Sequence, residues 1–280
     1  MSKCIRRRGS QTLSGLFCFS RSWLQVPLGL AIGSRKFTTT SSNLVVMNSE
    51  PLRPVPKYPN GVPSKFDPEG NVQRYRGNTF ICHLSPSSEP ELYNSLLALH
   101  DKLKNHHLSH LYTLLPPSSW HMTVFDGSCE DQQPGRWPDD LPGNASLEEC
   151  TALYEKKLST FDLQCDPPYR LSIVDIDLLP SYIELHLEPQ TVEENARIRD
   201  LRDRLSQLLH IRKKDHVTYT LHLTLAYLLR FLTAEQNQEL TALFSEHFEG
   251  MPKQFKLGAP EFCTFENMLA FKRLFYLKNQ

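Results

Sequence analysis

"SSWHMTVFDG", residues 118–127, sets a histidine and a threonine two apart inside an apolar run. In a strand, residues i and i+2 share a face. His121 and Thr123 therefore project together, with Met122 and Val124 on the other side. A strand that only had to bury a face would not place two polar groups on it. The arrangement returns in "TLHLTLAYLL", 220–229, where His222 and Thr224 alternate with Leu221, Leu223 and Leu225.

Each of these strands sits at the same place in a repeated order of elements. "NTFICHL" (78–84) reads as a strand, followed by a helix with Leu92, Leu96, Leu99 and Leu103 at helical spacing. The first histidine strand comes next, then a long loop and a helix with Leu147, Cys150, Tyr154 and Leu158. In the second half "SYIELHL" (181–187) alternates as a strand and leads into a helix with Ile198, Leu201, Leu205 and Leu208. The second histidine strand follows, then a helix with Leu240, Leu243 and His247 or Phe248. From first-strand start to histidine is 43 residues in one half and 41 in the other. Further strands are expected at 170–179 and within 259–277.

All four helices open on a Ser or Thr with Glu or Gln three residues on: Ser88/Glu91, Ser146/Glu149, Thr191/Glu194 and Thr233/Gln236. Such pairs can satisfy the orphan amides of a first turn. The pattern predicts an α+β fold of two pseudo-symmetric lobes, each an antiparallel sheet backed by helices, with a groove between them. Both histidine strands are expected at the centres of their sheets.

His-x-Ser/Thr alone is a weak signal in a chain with 11 histidines. His83-Leu84-Ser85 and His107-Leu108-Ser109 also match, but the first ends a strand before Pro86 and the second lies in a polar segment. Both read as surface residues. Phe125 shares a face with His121 if alternation continues, so it is a candidate to stack on a nucleobase; core packing is the competing role. Tyr227 is a second candidate, although strict alternation turns it away from His222. Arg212, Lys213 and Lys214 precede the second motif and are candidate phosphate contacts or a solvated loop. The loop from Gly127 to Asn144 is a candidate roof for the groove.

Formal charge is balanced, with 31 basic and 31 acidic residues, but seven of the basic residues and none of the acids fall within 1–49. This leader is also rich in Ser and Thr, which is the composition of a mitochondrial presequence over 1–46, with a disordered leader as the competing reading. Met47 offers a shorter, cytosolic start. The remainder is net acidic, which disfavours duplex nucleic acid and favours a small or terminal substrate. No apolar run reaches the roughly 18 residues of a membrane span. Residues 47–76 are proline-rich and read as a linker or surface lid, with the folded domain over 77–280 and a monomer as the expected state. The seven cysteines show no framework spacing and read as free thiols.

The two HxT strands resemble those of the 2H phosphoesterase superfamily, which includes LigT-type RNA cyclic phosphodiesterases. "RGNTFICHL", "LLPPSSWHMTVFDG", "RWPDDLP" and "LHLTLAYLL" are similar to a branch known as a cyclic-phosphodiesterase-like domain of unknown function. The similarity runs over roughly 65–277. It implies a bilobal fold with a central groove, His121 and His222 as the catalytic pair, and Thr123 and Thr224 as phosphate-binding residues. It also implies chemistry without a metal or other cofactor, on a nucleotide or RNA end carrying a cyclic phosphate. Two other readings compete. One is a non-catalytic nucleotide- or RNA-binding protein. The other is a metal-dependent hydrolase using His106, His107 and His110, although adjacent histidines rarely share a metal.

Overall fold

Nine strands and four helices make up the fold in a computed structural model that describes residues 56–133 and 135–280. The leader read over 1–46 lies outside the described residues. The strands are β1 (Gly77–His83), β2 (Tyr112–Leu114), β3 (His121–Cys129), β4 (Tyr169–Leu178), β5 (Tyr182–Pro189), β6 (Leu221–Leu228), β7 (Gln254–Leu257), β8 (Glu261–Asn267) and β9 (Ala270–Tyr276). The helices are α1 (Pro90–Lys104), α2 (Leu147–Leu158), α3 (Val192–Leu209) and α4 (Ala234–Gly250). No helix among the described residues is long and apolar enough to cross a membrane.

The α+β class read from the sequence holds. One sheet runs β3-β1-β8-β9 and the other β2-β6-β5-β4-β7, every pair antiparallel. The two sheets are not, however, built from consecutive halves of the chain. β2, from the first half, pairs with β6, while the terminal hairpin β8–β9 returns to β1. The helices cross as well: α2 and α3 pack behind β3, while α4 packs on β4 with α1 beside it. β3 is an edge strand, not a central one, and the edge it presents lies along β6.

Helix periodicity fixes what is buried. Leu92, Leu96, Leu99 and Leu103 of α1, and Leu147, Cys150, Tyr154 and Leu158 of α2, all reach the core. One contiguous core joins both sheets through Phe80, Met122, Val124, Leu185 and Leu223. Three of the four expected caps form. Ser146/Glu149 and Thr233/Gln236 are reciprocal boxes, and Thr191 accepts from the Glu194 amide. The Ser88/Glu91 box does not form, because Pro90 takes the first helical position and makes Glu89 the cap. Ser88 is left one residue outside and donates to the Ser85 carbonyl. Replacing Ser146 by alanine is expected to cost about 1 kcal/mol, read as a lower denaturant midpoint.

The described part of the proline-rich stretch is packed, not linking. Phe66 is buried in a second cluster with Leu115, Tyr227, Leu229 and Phe265, and bridges to Val72 across a turn at Asp67–Gly70. The folded body therefore begins before Gly77.

Candidate active site

The chain enters β3 through a tight turn over Pro117–Ser119. The Nδ1 of His121 lies 2.6 Å from the Ser119 carbonyl, two residues back. In β6 the Nδ1 of His222 lies 2.9 Å from the Thr220 carbonyl, again two residues back. A carbonyl can only accept, so each Nδ1 carries the proton and donates, and each Nε2 is left as the working atom. The two rings are thus held by the same local device, in different sheets.

Both histidines and both threonines, Thr123 and Thr224, line one cavity of about 540 Å³ between β3 and β6. Burial pushes the His121 imidazole down to about 4; the Ser119 carbonyl opposes the shift, while His83 and His222 add to it. His121 is therefore neutral at physiological pH. Beside His222, Glu184 of β5 is buried, its Oε2 4.0 Å from Nε2. Burial holds the Glu184 carboxyl above the usual range; His222 pulls it down and Asp177 pushes it up. Tyr219, also buried, lines the same cavity as Thr123.

Each motif ends in a β-bulge. Opposite β1, Phe125 pairs with Phe80 and Thr123 with Ile81, so Val124 is an extra residue. Opposite β5, Ala226 pairs with Ile183 and Thr224 with Glu184, so Leu225 is extra. An inserted residue reverses the alternation beyond it. Phe125 consequently turns into the core against Phe80, and the base-stacking role read for it is not supported by its position. Asp126 takes the groove-facing position instead, its carboxylate 3.0 Å from Lys213. Burial raises the Asp126 carboxyl, but Lys213, Arg136 and Arg202 outweigh it and leave it below the ordinary range. The same reversal in β6 brings Tyr227 onto the groove wall, where strict alternation would not put it.

The remaining sequence candidates divide. Of the basic run, Lys213 lines the groove, while Arg212 is exposed and pairs with Asp203 and Lys214 is exposed. The loop after β3 contributes Asp131, Gln133 and Arg136 to the cavity wall. His83 is not a surface residue: it is half-buried beside His121, with Nδ1 3.0 Å from Glu261. His106 and His107 both reach Glu239 at 3.4 Å, whereas the Nδ1 of His110 turns to the His107 carbonyl. Several groove residues escaped the sequence reading, Asp126, Glu184, Tyr219 and Lys65 among them. Glu184 could have been noticed as an acid inside the apolar alternation of β5; Lys65 carried no local signal, whereas Arg136 lies in the loop read as a candidate roof.

Residues 65–180 match the 2H-phosphodiest family model, described as a domain of unknown function (DUF1868). The crystal structure of the conserved protein of unknown function ATU0111 from Agrobacterium tumefaciens str. C58 is similar at 27% identity and a TM-score of 0.72. That match covers 80% of this chain and 95% of that one. E. coli LigT complexed with ATP aligns at 11% identity and a TM-score of 0.42, over 74% of this chain and 100% of LigT. The protein TT0787 of Thermus thermophilus aligns at 13% and 0.40, over 73% and 99%. Neither of these two is close enough to inform the site. No curated protein matches. Over residues 65–180, the segment that carries the first HxT strand, this chain is similar to the 2H phosphodiesterase family.

Proposed function

We propose that this protein is a phosphodiesterase that opens a cyclic phosphate, on a 2′,3′-cyclic nucleotide or an RNA end bearing that group, without calling on a metal. One observation carries the reading. Two imidazoles, each fixed through Nδ1 to the carbonyl two residues back, share one cavity with the two threonines. Opening a cyclic diester needs one group to accept a proton and one to give a proton, and two histidines in opposite protonation states supply both.

The burial of His121 supports one allocation of the roles. His121, kept neutral by burial, is the base. Its Nε2 takes a proton from water as the water oxygen bonds to phosphorus. The bond from phosphorus to one ribose oxygen breaks, and Nε2 of a protonated His222 gives that oxygen its proton. A phosphomonoester and a free hydroxyl result. Glu184, 4.0 Å from Nε2 of His222, stands where an ionised carboxylate favours the imidazolium. Thr123 and Thr224 donate to the non-bridging oxygens, where charge builds in the transition state.

The test is the pH dependence of kcat/KM on 2′,3′-cyclic nucleotides with EDTA present. The profile will be bell-shaped. Its acidic limb, which reports the base of the free enzyme, will fall below the ordinary histidine range because the neutral His121 persists down to about 4. Glu184→Gln will lower kcat/KM, since it removes the carboxylate that faces Nε2 of His222 at 4.0 Å. A flat profile across roughly pH 5 to 9, with chemistry limiting, would overturn the proposal. Affinity without turnover for every cyclic phosphate tried would point to the binding-protein reading instead.

A further inference from the structure

Beyond Tyr227 the groove is closed by a side chain that neither HxT motif supplies. Lys65, from the packed proline-rich stretch, places its ammonium 5.1 Å from the ring centres of both Tyr75 and Tyr227. It donates one hydrogen bond, at 3.2 Å, to the Tyr227 hydroxyl. An ammonium has three protons to place. Among the described residues no carboxylate lies within ion-pair distance of Lys65, whereas Lys213 in the same cavity is met by Asp126 at 3.0 Å. Next to Lys65, the Tyr182 hydroxyl accepts from Asn60 at 2.9 Å, so its own proton remains available to donate. The acid at this end, Asp131, is held by Gln133 at 2.7 Å and by the Tyr75 hydroxyl at 3.4 Å.

A half-buried cation without a counter-ion is costly to keep unless an anion arrives to meet it. Its place in the groove indicates which anion. Thr224 and Tyr227 pair with Glu184 and Tyr182, two residues apart on β5, and a strand rises about 3.3 Å per residue, so Tyr227, with Lys65 over its ring, stands about 7 Å along the strand from the phosphate pole. A single phosphate cannot span that gap, but a nucleoside with a phosphate at either end can. We propose that Lys65, with the Tyr182 hydroxyl, forms a second anion subsite that receives a substrate phosphate other than the one hydrolysed. The preferred substrate class is then a nucleotide cyclic phosphate bearing a further phosphate, over a nucleoside cyclic phosphate with none. This rests on the hydrolytic reading above and narrows it.

The experiment compares kcat/KM for adenosine 2′,3′-cyclic phosphate with and without a 5′-phosphate, on the full chain and on Lys65→Met. The readout is the ratio between the two substrates. The unaltered protein will prefer the 5′-phosphorylated substrate by about tenfold to a hundredfold, the range of a hydrogen bond to a charged group. In Lys65→Met the ratio will fall toward one, and Lys65→Arg will restore most of it. A ratio near one in the unaltered protein, or a ratio that survives Lys65→Met, overturns the subsite. Should neither substrate be hydrolysed, the proposed function falls, and the subsite is judged by calorimetry with adenosine 3′,5′-bisphosphate and adenosine 3′-phosphate. Tighter binding of the bisphosphate that is lost in Lys65→Met supports the subsite, and equal binding of the two ligands by the unaltered protein overturns it.

Discussion

His121→Ala and His222→Ala will each lower kcat on a 2′,3′-cyclic nucleotide by about 100- to 10,000-fold, the usual contribution of one positioned proton-transfer group. Neither change should disturb folding. Both rings stand at the groove wall, and each makes one hydrogen bond to its own strand's entry turn. The double variant should be only slightly worse than either single one, because the two rings act on one reaction coordinate and such losses are far from additive. Far-UV circular dichroism and a denaturation midpoint establish that the fold is kept, and single-turnover kinetics isolate the chemical step. Undiminished turnover in either single variant would remove that histidine from the chemistry.

Arg202→Ala will destabilise the protein by about 2–4 kcal/mol, the scale of leaving two buried carbonyls without donors and removing a packed guanidinium. Arg202 of α3 is 2% exposed. It donates to the carbonyl of Val124 at 2.6 Å and to that of His216 at 3.3 Å, and lies 4.0 Å from the Tyr219 ring centre. Val124 is the bulged residue after the first motif, and Tyr219 lines the groove with Thr123. This one side chain therefore ties the helix layer to the first HxT strand and to the approach of the second. Burial lowers the affinity of its guanidinium for a proton, and the Tyr219 ring face compensates by attracting the cation. A urea midpoint unchanged in the variant would contradict this account. Arg202→Lys should recover part of the loss, since it keeps the charge but not the two-pronged donor.

Much of this organisation is legible in the sequence because it follows two short periods. The spacing of Leu92, Leu96, Leu99 and Leu103 is enough to place α1, and the alternation around His121 and His222 is enough to pair each with its threonine. What escaped depends on partners distant in the chain or on single-residue departures from period. Phe125 reads as groove-facing only while alternation holds, and one extra residue opposite β1 ends it. Ser88 reads as a cap until Pro90 claims the first turn. His83 looks terminal and exposed until β8 brings Glu261 against it from 178 residues away. Lys65 gave no signal, because nothing local in a proline-rich stretch tells a lysine held among tyrosines from one in solvent.

The matched bulges leave a chemical polarity across an otherwise mirrored centre. Position five after the first histidine is Asp126, an acid engaged with Lys213; position five after the second is Tyr227, an aromatic ring engaged with Lys65. A molecule with distinct ends meets an ionic wall on one side and a ring on the other, so only one of its two head-to-tail placements is matched. Near-duplicate strands can thus dictate which oxygen of an unsymmetrical diester departs, with the instruction written two residues past each bulge and not in the motifs themselves.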